Sequence, residues 1–260
     1  MTRPPPALIA LALAACAGPP ASAQDWRPIF DGTTLNGWTP KIRGYPLGDN
    51  HAQTFRVEDG AIVVSYAGYE RFAERFGHLF LDEPVDGPFS LRLEYRFLEG
   101  APADTPGWAI ANSGIMIFGQ DPAGMAVADS FPVSVEAQLL GPVPGQTRFN
   151  GNMCSPGTNV VINGVLTTTH CVNSELPPPP NGVWTRFEIT VDENGLVTQK
   201  VDGLTSIAYS GVQLDPEARM ADSRPLIRAA GGALMLRGGT ISLQSEGAPI
   251  AFRRIELLVR

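Results

Sequence analysis

Polar side chains of kinds that bind sugars alternate with apolar ones along several segments. The pairs are Glu94 and Arg96, Glu136 and Gln138, Arg186 and Glu188, and Ser242 and Gln244. Carboxylates, amides and arginines hold hydroxyl groups through fixed acceptors and donors, and a carboxylate can also transfer a proton. A curved sheet would gather some of these side chains into one polar groove. The pattern predicts such a groove, against the simpler interpretation that it marks solvated sheet faces.

An exposed tryptophan would suit the rim of this groove. Trp108 follows a stretch rich in Gly and Pro (101–107) and stands just before Asn112-Ser113-Gly114. A loop of this kind can hold an indole ring over a groove, where it stacks on a sugar ring. Trp38 and Trp184 are assigned to packing.

Several enzyme classes are excluded by missing motifs. No two of the three histidines have the i, i+4 spacing of a zinc helix. The sequence also contains no Gly-x-Ser-x-Gly elbow, Walker loop or dinucleotide fingerprint. The net charge of −7 and the lack of a Lys/Arg cluster argue against nucleic acid as a partner.

The first residues have the pattern of an export signal. Residues 1–23 combine Arg3, an apolar run and the small-residue site Ala21-Ser22-Ala23. Leu13-Ala14-Ala15-Cys16 also fits a lipoprotein signal, with a lipid anchor at Cys16 as the contact with a membrane. We therefore expect an exported protein, periplasmic or extracellular, with residues 24–260 as one domain.

Export places the remaining cysteines in an oxidising compartment. Cys154 and Cys171 are then the available pair, and we predict a disulfide between them. The rival interpretation is a metal site of Cys154, His170 and Cys171. Adjacent residues of a strand point to opposite faces, which favours the disulfide. A disulfide would also pin His170 as an acid, a base or a ligand.

The periodicity is that of an all-β protein. Apolar and polar residues alternate in nine segments, and no window of 12 or more residues has a clean helical period. The clearest strand runs from Ser90 to Leu98, and the best helix candidate is Glu70 to Phe76. Asp192-Glu193-Asn194-Gly195 and Val201-Asp202-Gly203-Leu204 are hairpin turns that join three strands. So many strands need two sheets, which predicts a sandwich.

Several short motifs, taken in order, resemble a known family. They are Phe30-Asp31-Gly32-Thr33-Thr34-Leu35-Asn36-Gly37-Trp38, Asn112-Ser113-Gly114-Ile115, the strand with Glu136 and Gln138, Gly239-Thr240-Ile241-Ser242-Leu243-Gln244, and Phe252-Arg253-Arg254-Ile255. From Trp26 to Arg260 the chain resembles the 3-keto-disaccharide hydrolase domain family. The resemblance implies a concanavalin-like jelly-roll sandwich that cleaves glycosides whose glucose unit is oxidised at C3. This chain departs from the family pattern at Ser245-Glu246-Gly247, where His-Gly is usual, and at Arg254, where Asn is usual.

The implied chemistry assigns roles to the candidate residues. A ketone at C3 acidifies the C2 proton, so a base can remove it while the aglycone leaves from C1. We expect Glu136 to be the base or a metal ligand, Arg96 to hold the enolate or the carbonyl, and Glu94 or Glu246 to protonate the leaving oxygen. His170 is a further catalytic candidate. The expected sugar-binding residues are Asn112, Gln138, Gln244, Trp108 and Glu246.

The sequence is also compatible with other functions. A carbohydrate-binding or cell-envelope module of the same fold would bind an oligosaccharide without cleaving it. A retaining glucanase needs two carboxylates flanking the bond, and the strand with Glu136 supplies one. Calcium is compatible with a concanavalin-like fold, but no acidic loop has regular ligand spacing, so the metal is left unassigned.

Overall fold

The computed structural model describes Met1 and residues 25–260. The predicted leader, apart from Met1, and the predicted lipid anchor at Cys16 lie outside the described residues. Among the described residues, no helix is long and apolar enough to cross a membrane.

The described chain is built almost entirely of strands. They are β1 (Arg27–Pro28), β2 (Trp38–Ile42), β3 (Phe55–Glu58), β4 (Ala61–Val64), β5 (Gly77–Leu81), β6 (Val85–Asp86), β7 (Phe89–Phe97), β8 (Asn112–Gly119), β9 (Val135–Leu140), β10 (Asn152–Cys154), β11 (Thr158–Ile162), β12 (Val165–Thr167), β13 (Cys171–Val172), β14 (Thr185–Val191), β15 (Val197–Val201), β16 (Leu204–Leu214), β17 (Gly238–Ser245) and β18 (Ile250–Val259). Short 3₁₀ turns cover His51–Gln53 and Pro122–Gly124, and α1 covers Arg224–Ala229.

Two antiparallel sheets form the predicted sandwich. The large sheet has ten strands in the order β12-β11-β16-β15-β14-β7-β18-β4-β3, with β1 on β18. The small sheet has eight strands in the order β13-β10-β9-β8-β17-β5-β2, with β6 on β17. This is the all-β jelly-roll architecture that the sequence predicts.

Apolar side chains that alternate with polar ones along the strands fill the space between the two sheets. In β7, Leu91, Leu93 and Tyr95 are buried in the core, and the residues between them face outward. The small sheet contributes Ile115 and Ala137 to the same core. Each sheet therefore keeps one apolar face for the core and sends its polar side chains to its outer face.

The two predicted hairpin turns are confirmed. β14 pairs with β15 across 192–196, where the Asp192 carboxylate accepts hydrogen bonds from the backbone N–H of Asn194 and Leu196. β15 pairs with β16 across Asp202 and Gly203, which both have positive φ, as a tight type I′ turn requires.

The helix predicted at Glu70–Phe76 is wrong. Ala73 and Glu74 adopt left-handed backbone angles, which a right-handed helix cannot contain. Instead, the Asp104 carboxylate accepts hydrogen bonds from the backbone N–H groups of Phe72 and Ala73, at 2.7 and 3.1 Å. The segment is a loop held against the 101–111 loop, and among the described residues the α-helix lies at Arg224–Ala229.

Candidate active site

A cavity of about 370 Å³ opens on the outer face of the small sheet, beside Glu136. We call it the Glu136 pocket. Its polar lining is Glu74, Asn112, Glu136, Gln138, His170 and Glu246. Its apolar lining is Phe76, Trp108, Phe131, Pro156, Met220 and the Cys154–Cys171 disulfide.

Two neighbouring features of β8 and β9 place the Glu136 carboxyl. Val135, Ala137 and Leu139 face the core, so Glu136 and Gln138 face the pocket. Across the ladder, Gly114 lies opposite Gln138, and the Glu136 side chain leans over it. A Cβ added at Gly114 would lie 2.5 Å from Glu136 Oε1, so glycine gives this carboxyl its room.

Glu136 and Glu246 form a buried carboxyl pair. Each has 5% of its surface exposed. Burial raises the pKa of Glu136 to about 8, and Glu136 Oε1 has no hydrogen-bond partner among the described protein atoms. Burial and the negative charge of Glu136 also raise the pKa of Glu246 well above its ordinary value. Two carboxyls that each raise their pKa through burial, and one through the charge of the other, are suited to general acid–base chemistry, because one can ionise while the other keeps its proton.

Arg148 is a functional candidate that sequence reasoning missed. Its guanidinium donates to the backbone carbonyls of Trp108, Ile110, Ala111 and Gly141, at 2.6 to 3.2 Å. Its positive charge opposes the rise in the pKa of Glu246, and burial lowers the pKa of Arg148 itself. Arg148 therefore holds the 101–111 loop, which carries Trp108, close to the two carboxyls.

Three amides form a chain along the same sheet face. Asn152 Nδ2 donates to Gln138 Oε1 at 2.9 Å, and Gln138 Nε2 donates to Asn112 Oδ1 at 3.4 Å. The strand register places Gln138 opposite Asn152. Each amide fixes the orientation of the next, so Asn112 and Gln138 line the pocket with defined donors and acceptors.

Trp108 lies at the rim of the pocket and is 53% exposed. Its ring lies nearly parallel to that of Phe76, with 5.9 Å between centroids. The 70–76 loop, predicted as a helix, supplies Phe76 and Glu74 to the same wall. The result is an exposed aromatic surface beside buried carboxyls, and the role of Trp108 in sugar binding stays a prediction.

The predicted disulfide between Cys154 and Cys171 is confirmed. It joins β10 to β13 beside Glu136, which is the cross-strand neighbour of Cys154. Cys154, His170 and Cys171 offer donor atoms within 4.8 Å of one another, but the bonded sulfurs are not thiolates, so the rival metal interpretation is not supported.

His170 lies in the pocket wall next to this disulfide. Its backbone carbonyl accepts hydrogen bonds from the Ser155 N–H and hydroxyl, at 2.8 and 3.2 Å. Burial lowers the pKa of the imidazole, and Nδ1 has no partner among the described atoms. A neutral ring with a spare nitrogen is free to donate to or accept from a ligand.

The expectation that Glu94 and Arg96 share a groove with Glu136 is wrong. Both lie on the outer face of the large sheet, across the sandwich core from the pocket. Glu94 pairs with Arg253 and Arg254, at 2.7 and 2.9 Å. Arg96 stacks on Trp184, with its guanidinium carbon 4.6 Å from the ring centroid. The alternation predicted the polar faces correctly but assigned two separate faces to one groove.

Gln244 lies on the correct face but does not line the pocket. The Leu243–Ile115 pairing places Gln244 opposite Gly114, and its side chain is fully buried with no partner for either amide atom. Gln244 is therefore not among the residues that line the Glu136 pocket.

The fold and the pocket with two buried carboxyls are those of an all-β jelly-roll sandwich with a candidate acid–base site. The family model described as the 3-keto-alpha-glucoside-1,2-lyase-like domain matches residues 25–258, and the chain belongs to this family. This is the family that the sequence motifs resemble, and it assigns the protein a carbohydrate-related role. None of the curated proteins matches the chain in sequence.

Solved structures of low identity share the fold. Two crystal structures of proposed glycosyl hydrolases from Parabacteroides distasonis have TM-scores of 0.52 and 0.54, at 17% and 14% identity. They cover 90% and 91% of this chain, which covers 94% and 100% of theirs. A Bacillus subtilis protein of unknown function with a galectin-like fold has a TM-score of 0.52 at 11% identity, covering 87% of this chain and 92% of its own.

Proposed function

We propose that this protein cleaves 3-keto-glycosides by elimination in the Glu136 pocket. The observation that carries the proposal is the buried pair of Glu136 and Glu246, whose raised pKa values let one carboxyl act as a base while the other holds a proton. Family membership supports the substrate class, since the family is described by a 1,2-lyase acting on a 3-keto-alpha-glucoside.

The reaction needs a base and an acid at adjacent carbons. Glu136 removes the proton from C2, next to the ketone at C3, and the electrons of that bond form an enolate. The enolate then expels the oxygen at C1, which takes its proton from Glu246, leaving a C1–C2 double bond and the free aglycone. Water adding across the double bond would complete a net hydrolysis. No electron acceptor is required, because the ketone only stores charge transiently.

The surrounding residues fit the charges of this scheme. With Arg96 on the other sheet, Arg148 supplies the positive potential that offsets negative charge near the pair. Trp108 offers a stacking surface, while Asn112, Gln138 and His170 offer hydrogen bonds to hydroxyl groups. The predicted leader and the disulfide support an exported enzyme.

A second candidate is ordinary glycoside hydrolysis. The sequence supplied one acid on the strand of Glu136, but the fold brings Glu246 beside it, so a two-carboxylate mechanism gains support from the structure. This enzyme would act on the unoxidised sugar.

The test is cleavage of a C3-oxidised disaccharide beside its unoxidised parent, followed by mass spectrometry, with and without a chelator. We expect cleavage of the oxidised sugar alone. Cleavage of the parent sugar would favour the second candidate. Binding of either sugar without turnover would contradict both and indicate a carbohydrate-binding module. Loss of cleavage with chelator would add a metal to the mechanism.

A further inference from the structure

A row of buried polar side chains continues the outer face of the small sheet away from Glu136. Gln244 lies opposite Gly114 on one side and pairs with His78 on the other, and His78 pairs with Lys41. Ser242 lies on the same face, two residues along β17. We call Lys41, His78, Ser242 and Gln244 the covered row.

The side chains of the covered row are buried, but several of their polar atoms have no hydrogen-bond partner among the described atoms. Relative exposures are 2% for Lys41, 1% for His78 and 0% for Ser242 and Gln244. His78 Nε2, Ser242 Oγ, and both amide atoms of Gln244 have no hydrogen-bond partner among the described atoms. Lys41 Nζ reaches the carbonyls of Ile42 and Val127, each at 3.4 Å. Buried polar groups are nearly always paired, so a run of neighbouring exceptions requires an explanation.

Residues 121–131 form a loop that contacts the Lys41 and His78 end of the row. Residues 121–131 are bonded mainly within themselves, through Asp121 to Ala123 and Asp129 to Ala126. The Val127 carbonyl accepts hydrogen bonds from Lys41 Nζ of β2, at 3.4 Å, and from the Gly44 N–H just after β2, at 2.8 Å. At the end of the loop, the Phe131 ring stands edge-on to His78, with 6.1 Å between centroids.

Phe131 also separates two cavities. It lines the Glu136 pocket on one side and a cavity of about 320 Å³ on the other, and Met220 is shared by both. The ring therefore has space to move into without displacing the core. Its movement would open His78 and its neighbours to the Glu136 pocket.

We propose that the covered row is the inner part of the sugar site, which a ligand reaches when Phe131 and the 121–131 loop move aside. Lys41, His78 and Gln244 present donors to the hydroxyl and carbonyl oxygens of a sugar ring, and Gln244 and Ser242 also accept. Burial and the Lys41 charge keep His78 neutral, with a pKa lowered to about 3. The proposal rests on the proposed function only for the identity of the ligand.

If the covered row binds sugar, substitutions in it should weaken sugar binding without lowering the stability of the protein. Gln244→Leu and His78→Phe remove polar atoms that have no partner in the closed protein, so we expect an unchanged or higher Tm. The same variants should weaken binding of a C3-oxidised disaccharide by at least about tenfold, measured by calorimetry in the Glu136→Gln background. A side chain with a purely structural role would lower Tm and leave binding unchanged, which would overturn the proposal.

Gln199 provides a matched control. It is a fully buried glutamine of the large sheet whose amide also lacks a well-formed hydrogen bond. Gln199→Leu should change Tm in the same direction as Gln244→Leu and leave sugar binding unaltered. If both variants weaken binding equally, the effect is general to the fold and the covered row is not a site. Wild-type protein that binds the sugar without cleaving it would contradict the proposed function alone.

Hydrogen exchange tests access to the row independently. Backbone amides of 121–131 should exchange faster than those of β9, and bound C3-oxidised disaccharide should slow them. Equal protection of the loop and β9, unchanged by the sugar, would overturn the opening of the row.

Discussion

On the outer face of the large sheet Glu94 is paired with two arginines, whereas on the outer face of the small sheet Glu136 is buried with an unpartnered oxygen. Both residues come from strands with the same alternation. The difference lies in what covers them: loops 70–76, 101–111 and 121–131 close over the small sheet, and Trp184 with its arginines caps the large one. The pKa of Glu136 is raised because these loops bury its carboxyl, whereas Glu94 keeps two arginine partners.

The largest expected effect separates the two glutamates. Glu136→Gln keeps the shape of the side chain but removes the base, so cleavage of the 3-keto-disaccharide should fall about 10²- to 10⁴-fold. Glu94→Gln breaks a surface pair and should leave kcat/KM within about twofold. Equal losses in the two variants would contradict the distinction between the faces.

Gly114→Ala tests the position of the carboxyl without changing its chemistry. The added methyl collides with the Glu136 side chain, and a displaced catalytic group can cost about 10²-fold in kcat. Glu94→Gln is again the control, because it changes a carboxyl on the opposite sheet and leaves the small sheet intact. Full activity of Gly114→Ala would show that the Glu136 position is not critical.

Loss of the disulfide should cost stability. Replacing Cys154 and Cys171 with serine frees a loop of 17 residues, which the chain-entropy model values at roughly 3 kcal/mol of unfolding free energy. Denaturant unfolding of the double variant measures it. A loss of less than about 1 kcal/mol in unfolding free energy would contradict a stabilising role for the disulfide.

The two exposed-face tryptophans should differ in substrate binding. Trp108→Ala removes the rim platform and should raise KM about tenfold with little change in kcat, which corresponds to about 1.4 kcal/mol of stacking. Trp184→Ala, on the large sheet, should leave KM unchanged. Steady-state kinetics of both variants decides the point, and an unaltered KM for Trp108→Ala would remove it from the binding site.

The raised pKa of Glu136 also makes the stability of the protein depend on pH. Because the pKa of Glu136 is raised from 4.5 to about 8, the folded protein holds a proton there that the unfolded chain has lost. The unfolding free energy therefore falls as pH rises through this range, by up to about 1.4 kcal/mol per pH unit. Glu136→Gln should match the wild type near pH 4 and exceed its Tm at pH 8. Parallel Tm profiles would contradict the raised pKa.

Much of the fold was predictable because alternation and turn chemistry are local. The strand at Ser90–Leu98, the Asp192 and Asp202 turns and the disulfide all depend on neighbours in sequence or on cysteine count. The prediction of a helix at 70–76 was wrong because the Asp104 carboxylate, more than 30 positions away in sequence, accepts hydrogen bonds from the backbone N–H groups of this segment.

The site was predicted only in part because a strand pattern does not say which sheet a strand joins. Glu136, Gln138 and Asn112 were correctly grouped, and Glu94 and Arg96 were assigned to the wrong sheet. Arg148 gave no sequence signal, since its contacts are backbone carbonyls brought together by distant loops.

The most direct test of the central claim follows the proton at C2. A 3-keto-disaccharide carrying deuterium at C2 of the oxidised ring is incubated with the wild type, Glu136→Gln and Glu94→Gln, and the products are analysed by mass spectrometry. We predict loss of the C2 deuterium with a slowed reaction in the wild type and in Glu94→Gln, and little reaction in Glu136→Gln. Cleavage that retains the deuterium, or full activity of Glu136→Gln, would contradict proton abstraction by Glu136.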